Sequence, residues 1–334
     1  MRLVQIARPG ERRVGVVEGD ALRLLARHRT VYEAAGAAMA SGRRLAATVE
    51  ADLGAEVLDY ASIHASIHAG ESEWRLLPPV DHPDEPARCL LSGTGLTHTQ
   101  SAANRDAMHA GAQTLTDSMR MYQWGVEKGK PAAGAIGIAP EWFYKGCGTN
   151  LRAHGEPLIV PKYAEDGGEE PEIAGVYMVD AAGGARRLGM AQGNEFSDHG
   201  FERRNYLNLA GSKLRTCAIG PELVLDADFQ RVPGTVTIER EGKGLWRAEV
   251  VTGEEAMSHS LANIEHHHFK FAAHRRPGDV HIHFFGASAF SFGAGVILRD
   301  GDVMEVSFQG FGRPLRNPIG VAGTPDELVT AQAL

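Results

Sequence analysis

The chain has 334 residues, 43% apolar and 23% charged, the make-up of a folded protein with a sizeable core and not of a disordered one. Its 34 basic and 42 acidic side chains leave a formal charge of −8 with no long basic run, which argues against a nucleic-acid binder that works by neutralising phosphates. No apolar stretch approaches the roughly 18 residues of a membrane span, and Cys89, Cys147 and Cys217 form no CxxC pair or disulfide framework. The first residues lack a secretory core and cleavage site, so the expected compartment is a reducing cytoplasm.

In chain order, residues 1–78 read as a small α/β domain. MRLVQIA and RRVGVVEG are short alternating strands around a Pro9–Gly10 turn, and the Ala-rich stretch from Thr30 to about Leu53 has helical spacing. Residues 79–87 form a proline-rich linker, because Pro78, Pro79, Pro83 and Pro86 can neither continue a helix nor sit in a central strand. Residues 88–334 form the larger domain. CLLSGTGLTH is a strand entering a Gly-rich turn, and residues 101–125, with His109, look helical. EWFYKG, PLIVP, EIAGVYMVD, RRLGMAQGNEF, GTVTIER and WRAEVV read as strands. The stretch from Glu255 to His274 is helical in composition, and VHIHFFG, GVILRDGD and VMEVSFQGFG return to strand character. Forty glycines, scattered beside these stretches, predict many turns and bulges. The fold class is therefore α+β and β-rich.

Glu170, Glu172 and Glu195 carry the strongest chemical signal. Gly183–Gly184 lies between two β-like runs and predicts a two-residue hairpin turn. In that register Glu172 faces Glu195, with Cβ atoms roughly 5 Å apart. Glu170 shares the face of Glu172. Like charges so placed repel, and a hard divalent cation (Mg²⁺, Mn²⁺ or Ca²⁺) removes the conflict. The pattern alone leaves a second reading open: an acidic, solvated loop with a coincidental register, which one bulge would break.

EPEIAGVYMVD followed by GNEFSD resembles the paired metal-binding motifs of the fumarylacetoacetate hydrolase superfamily. SGTGLTHT, EWFYKG with GEPLIVP, LAGSKLRTCAIGPEL, and RPGDV with LRDGDVMEVSFQGFGRPLRNPI resemble further segments of that family in the same order, over roughly residues 88–320. ERRNYL and LRTC look closest to its sugar-acid catabolic (GguC-type) branch. The resemblance implies a mixed β-roll catalytic domain and a metal held by Glu170, Glu172 and Glu195. It makes Lys213 the cation beside that metal, stabilising an oxyanion or enolate; an isolated lysine in such a turn would read as a surface residue. Two departures stand out. Glu195 replaces the aspartate found in much of the family, and counting from Gly95 puts Ser101 where the family's histidine is usual. The general base is then either His98, three positions earlier, or water on the metal alone. GASAFSFGAG replaces the family's Thr-Gly-Thr-Pro type of segment, with Ser288 or Ser291 as donors at the acid-binding end.

Lys145 and Arg152 are candidates to meet a substrate carboxylate, or else are solvent-facing charges. His266, His267 and His268 cannot converge on one ion, since consecutive helical residues point about 100° apart. His281 and His283 share a strand face without a third ligand. There is no GxSxG elbow, no GxxxxGK[ST] loop, and GTGLTH lacks the third glycine of a dinucleotide fingerprint. The expected activity is metal-dependent C–C hydrolysis of a 2,4-dioxo acid derived from a sugar acid. The first alternative is a 2-keto-3-deoxy sugar-acid dehydratase, and the third class is a non-catalytic sugar-acid binder. A firm His–Glu dyad favours hydrolysis, and its absence favours dehydration. The expected partner is a small 2-oxo acid, with neither nucleic acid nor membrane, and the family is commonly homodimeric.

Overall fold

The computed structural model describes residues 1–66, 72–99, 116–323 and 327–334. Alternating apolar residues at the N-terminus make an antiparallel meander of the strands Arg2–Arg8, Glu11–Glu18, Ala21–Leu25 and Leu53–Asp59. The helix Val31–Ser41 leaves the third strand through a capping box, Thr30 accepting from the Glu33 amide and Glu33 from the Thr30 amide. It ends at Gly42, whose φ of 65° is a left-handed cap that glycine adopts without strain. Its buried face, Val31, Ala34, Ala35 and Ala38, is small enough to lie close to the sheet. The proline-rich segment packs rather than dangles: the Leu77 amide donates to Gln5 O, and the Gln5 side chain donates to Pro78 O.

Arg2–Arg8 also pairs with Leu223–Val224, which joins the meander to the sheet of the larger region. The path runs Leu53–Asp59, Ala21–Leu25, Glu11–Glu18, Arg2–Arg8, Leu223–Val224, Ala185–Asn194, Pro171–Val179, Val280–Phe284, Cys89–Gly95, Glu141–Cys147. Most neighbours are antiparallel, but Val280–Phe284 runs parallel to Cys89–Gly95. A second, five-stranded sheet has the order Lys243–Thr252, Val232–Arg240, Val303–Phe308, Leu315–Val321, Leu158–Val160. Ile173, Met190 and Phe285 meet Val236, Val306 and Phe308 in the core between them. Pro171–Val179 is buried along its whole length. The fold is α+β, β-rich and built on mixed sheets, as expected.

The expected strand over GVILRDGD is absent. Asp302 accepts from the Arg299 amide and binds the Arg240 guanidinium, and these contacts hold the segment in a turn with Gly301 at φ 83°. The helical stretch expected from Glu255 to His274 shortens to Leu261–Phe269, started by Ser260, whose side chain accepts from the Asn263 amide. The helix expected over 101–125 is described as Asp117–Lys128; Ser101 and His109 lie outside the described residues. No helix among the described residues is long and apolar enough to cross a membrane.

Candidate metal centre

Pro171–Val179 and Ala185–Asn194 form the expected hairpin, but in a different register. The turn spans more than Gly183–Gly184, because the Asp180 carboxylate accepts from the Ala182 and Gly184 amides and rounds the corner. Val179 pairs with Ala185, and a bulge follows between Val176 and Tyr177. Glu172 therefore faces Gly193, not Glu195. Glu195 lies opposite Glu170 instead, its amide donating to Glu170 O at 2.9 Å. The three side chains still share one face. Among the described residues they form a group in which potential ligand oxygens all lie within 4.8 Å of one another, and all three are buried.

Lys213, at the end of the short helix Leu209–Lys213, inserts its Nζ among them. It donates to Glu170 Oε1 at 2.8 Å, Glu195 Oε2 at 2.7 Å and Ser197 Oγ at 2.8 Å. The Phe143 ring covers the ammonium at 4.8 Å. Burial favours the neutral acid at Glu170, but the Lys213 charge and the His199 hydrogen bond outweigh it and hold the carboxyl well below its ordinary range. Glu172 goes the other way. Burial, then the charges of Glu195 and Glu170, push its pKa well above the usual value, against a single amide donor, Gly286 N–H at 2.7 Å. Burial and Glu170 also raise Glu195.

This donor set fits a hard divalent cation. Three carboxylates and the neighbouring Glu202 outnumber the two buried lysines, and burial together with the Glu195 and Glu170 charges drives Glu172 towards neutrality. Glu195 Oε1 is buried and lacks a directed hydrogen-bond donor, although Lys145 Nζ approaches it off-axis at 2.6 Å.

His199 and Glu202, which sequence reasoning passed over, also border the cluster. They sit on one face of the helix His199–Arg204, which follows directly from the Glu195 turn. His199 Nε2 donates to Glu170 Oε1 at 2.8 Å, and Ser212 Oγ donates to Glu202 at 2.7 Å. Burial opposes the charged imidazole, but Glu170 prevails and raises its pKa. The signal available was the i, i+3 spacing immediately after a candidate ligand. Glu141 is also buried here, against Gly95 on the cavity wall, and takes the Tyr206 hydroxyl. Gly95, Phe143, Gly286, Ala287 and Phe290 complete a cavity of about 10 Å³, room for about one water molecule.

The other predicted residues have different surroundings. His98 is buried between two hydroxyls, Thr97 Oγ1 on Nδ1 at 2.9 Å and Thr252 Oγ1 on Nε2 at 3.1 Å, and burial lowers its pKa to about 4. It does not border the cavity. Lys145 is fully buried behind Glu195, donating to Phe196 O and Lys213 O, so it braces a candidate ligand and does not face a substrate. Arg152 lines a separate cleft with Pro78, Asp81 and Glu156 and spends its guanidinium on the Thr149 and Leu151 carbonyls. Ser291 gives both its amide and its hydroxyl to the buried Glu169, whose pKa burial raises. Ser288 Oγ is buried without a partner in the loop that closes the cavity. His266, His267 and His268 lie on the helix Leu261–Phe269, with His268 Nε2 2.9 Å from His281 Nδ1, away from the carboxylates.

No protein-family model and no curated protein matches the chain. Solved structures do. A 2-keto-3-deoxyarabinonate dehydratase superposes with a TM-score of 0.71 at 21% identity, over 96% of this chain and 99% of that one. The chain has the fumarylacetoacetate hydrolase fold. A 2-keto-3-deoxy-D-arabinonate dehydratase structure complexed with magnesium and 2,5-dioxopentanoate matches equally well, at TM-score 0.71, 21% identity and the same coverage. The 5-carboxymethyl-2-hydroxymuconate delta-isomerase of Mycobacterium smegmatis shares the fold at TM-score 0.59 and 18% identity, over 96% of this chain and all of that one. The fumarylacetoacetate hydrolase fold thus extends over the N-terminal meander as well as the roll.

Proposed function

We propose that this chain is a divalent-cation-dependent hydro-lyase that removes water from a 2-keto-3-deoxy sugar acid. The observation that carries the reading is the state of the histidines around the carboxylate cluster among the described residues. Hydrolysis of a 2,4-dioxo acid calls for a base that activates water beside the metal. His98 has both nitrogens engaged by hydroxyls and stands outside the cavity. His199 gives Nε2 to Glu170, and its Nδ1 lies against Gly168, where an added Cβ would be only 2.2 Å away. Neither presents a free nitrogen to a water in the cavity. The similarity to dehydratase structures, one holding magnesium and an oxo acid, supports the same reading.

A bound cation supplies Lewis acidity to the carboxylate and keto oxygens of a 2-oxo acid. Glu170, Glu172 and Glu195 would hold it. On this reading Lys213, buried under Phe143 and donating to Glu170, Glu195 and Ser197, adds positive charge beside the candidate ligands, where it would stabilise negative charge developing on the keto oxygen. In the reaction a C3–H bond and the C4–O bond break and a C3–C4 double bond forms. The proton taken from C3 leaves with the C4 hydroxyl as water. Glu202, which borders the cavity beyond the three ligands, would carry that proton. Phe143 and Phe290 border the site, and their apolar rings would keep the developing charge in a low-dielectric setting.

The test is an Mg²⁺ and Mn²⁺ activity panel with product analysis by mass spectrometry. Loss of one water from a 2-keto-3-deoxy pentonate or hexonate supports the dehydratase. Pyruvate release from a 2,4-dioxo acid would instead establish the hydrolase, and cation-dependent binding of these acids with no turnover would point to a binding protein.

A further inference from the structure

Resting on the metal reading above, we propose that His199 is a positioning residue that fixes Glu170 in its ligating orientation, with its ring locked by Gly168 and Phe290. His199 Nε2 and Lys213 Nζ donate to the same oxygen, Glu170 Oε1, each at 2.8 Å. Two donors on one oxygen restrain the carboxylate from rotating. The imidazole itself is caged. Phe290 stacks on it with centroids 4.6 Å apart and planes 26° apart, and Phe292 leans on it at 5.3 Å. On a third side the backbone of Gly168 approaches so closely that a Cβ would sit 2.2 Å from Nδ1 and 2.5 Å from Cε1. The residue is 1% exposed, and Nδ1 has no hydrogen-bond partner. A proton relay needs its second nitrogen open to water or substrate. Here that nitrogen is pressed against main chain, and what the geometry retains is orientation. Phe290 belongs to the loop whose Gly286 amide holds Glu172 and whose Ser291 holds Glu169. The loop therefore touches the segment that enters Pro171–Val179 at Glu169 and Glu172 directly and at Glu170 through His199.

Mn²⁺ binding to the metal-stripped full-length protein, followed by electron paramagnetic resonance and calorimetry, tests the assignment without relying on turnover. His199→Phe keeps the stacking but removes the donor, and should weaken Mn²⁺ binding about ten- to hundred-fold, the range found for partners of ligating groups. Gly168→Ala should weaken it in the same direction by displacing the ring. His199→Gln, whose amide nitrogen reaches the place of Nε2, should restore most of the affinity, a rescue that a merely space-filling role would not give. Unfolding midpoints in chelator verify that each variant is folded, and if His199→Phe fails to fold, Gly168→Ala and His199→Gln decide. Affinities within about twofold of the parent for the folded His199→Phe and Gly168→Ala variants would overturn the role of His199 alone. A parent protein that binds no Mn²⁺ would overturn the metal reading, and this inference with it.

Discussion

Glu172 offers a test in which removing a candidate ligand should make the metal-free protein more stable. Its carboxylate lies within 4.8 Å of those of Glu170 and Glu195 and has one amide donor, from Gly286. At that separation and an effective dielectric of about 20, each like-charge pair costs about 3 kcal/mol. The folded protein escapes part of this by shifting Glu172 towards its neutral form, because burial and then the Glu195 and Glu170 charges raise its pKa. A raised carboxyl pKa contributes nothing below the unfolded value of about 4.3 and costs increasing stability above it. The cost at pH 7 is capped by full protonation in the native state, at about 4 kcal/mol. Glu172→Gln is neutral at every pH, and its amide oxygen can still accept from Gly286. In chelator at pH 7 it should therefore raise the unfolding free energy by about 2–3 kcal/mol, and the gain should vanish near pH 4. With Mg²⁺ or Mn²⁺ present the order should invert, since only the parent is stabilised by the ion. Urea denaturation at both pH values, with and without metal, gives all four comparisons. A destabilised variant in chelator at pH 7, or a gain that persists at pH 4, would refute the crowding argument.

Lys213→Met should lower kcat by about a hundred-fold or more while moving KM far less, because positive charge beside the candidate ligands would act on negative charge developing in the transition state; steady-state kinetics showing a rise in KM with kcat intact would contradict that role. Asp52 supplies a pH test remote from the site. Burial favours its neutral form, but the Arg27 guanidinium and the His28 and Arg27 amides and His28 ring outweigh it and hold the pKa at about 2. A depressed carboxyl contributes stability above its unfolded pKa of about 3.9 and loses it as pH falls through about 2, so Asp52→Asn should cost about 2–3 kcal/mol at pH 7 and little near pH 2, measured by chemical denaturation.

Legibility in the sequence followed the physics of each element. Glu170 and Glu172 were readable because strand alternation needs no tertiary information to place them on one face. Lys213 was readable only through family resemblance, since nothing in a five-residue helix marks a lysine as buried. Lys145 was read as a solvent or substrate charge because hydropathy sends lysine outward. Its strand does the reverse, exposing Trp142 at 38% and Tyr144 at 42% while burying Glu141, Phe143 and Lys145. The inward face of Glu141–Cys147 is polar because it backs the carboxylate cluster, and a hydrophobic-in rule has no means of seeing that. His199 escaped notice for a related reason: its partners, Glu170, Gly168 and Phe290, are remote in sequence, and a single histidine before a glycine carries no periodic signal. The strand expected at GVILRDGD failed because Asp302 captures local donors that the ladder would have needed.

The hairpin brings the three carboxylates together through a register other than the one a Gly183–Gly184 turn predicts. Pairing across the Asp180–Gly184 corner places Val179, not Ala182, opposite Ala185, an odd shift of three residues from a strict two-residue turn. Continued unbroken, that pairing would set Glu172 against Gln192 and carry Glu195 to the opposite face of the sheet, since a one-residue slip inverts every side chain. The bulge between Val176 and Tyr177 inserts Leu188 as the extra residue and restores even parity, so that Glu172 meets Gly193 and Glu195 comes level with Glu170. Leu188 is buried in the core shared with the N-terminal meander, which pays for the break in the ladder with apolar contact. The bulge is thus the local feature on which the convergence of the three carboxylates depends. The same reasoning explains why Gly193, not a side chain, sits across from Glu172: a Cβ there would press on Phe284 at 2.7 Å and on the Ala218 carbonyl at 2.8 Å. The close packing that the glycine permits lets Cys217–Ile219 pair with the end of the hairpin, immediately after the segment that delivers Lys213 to the cluster.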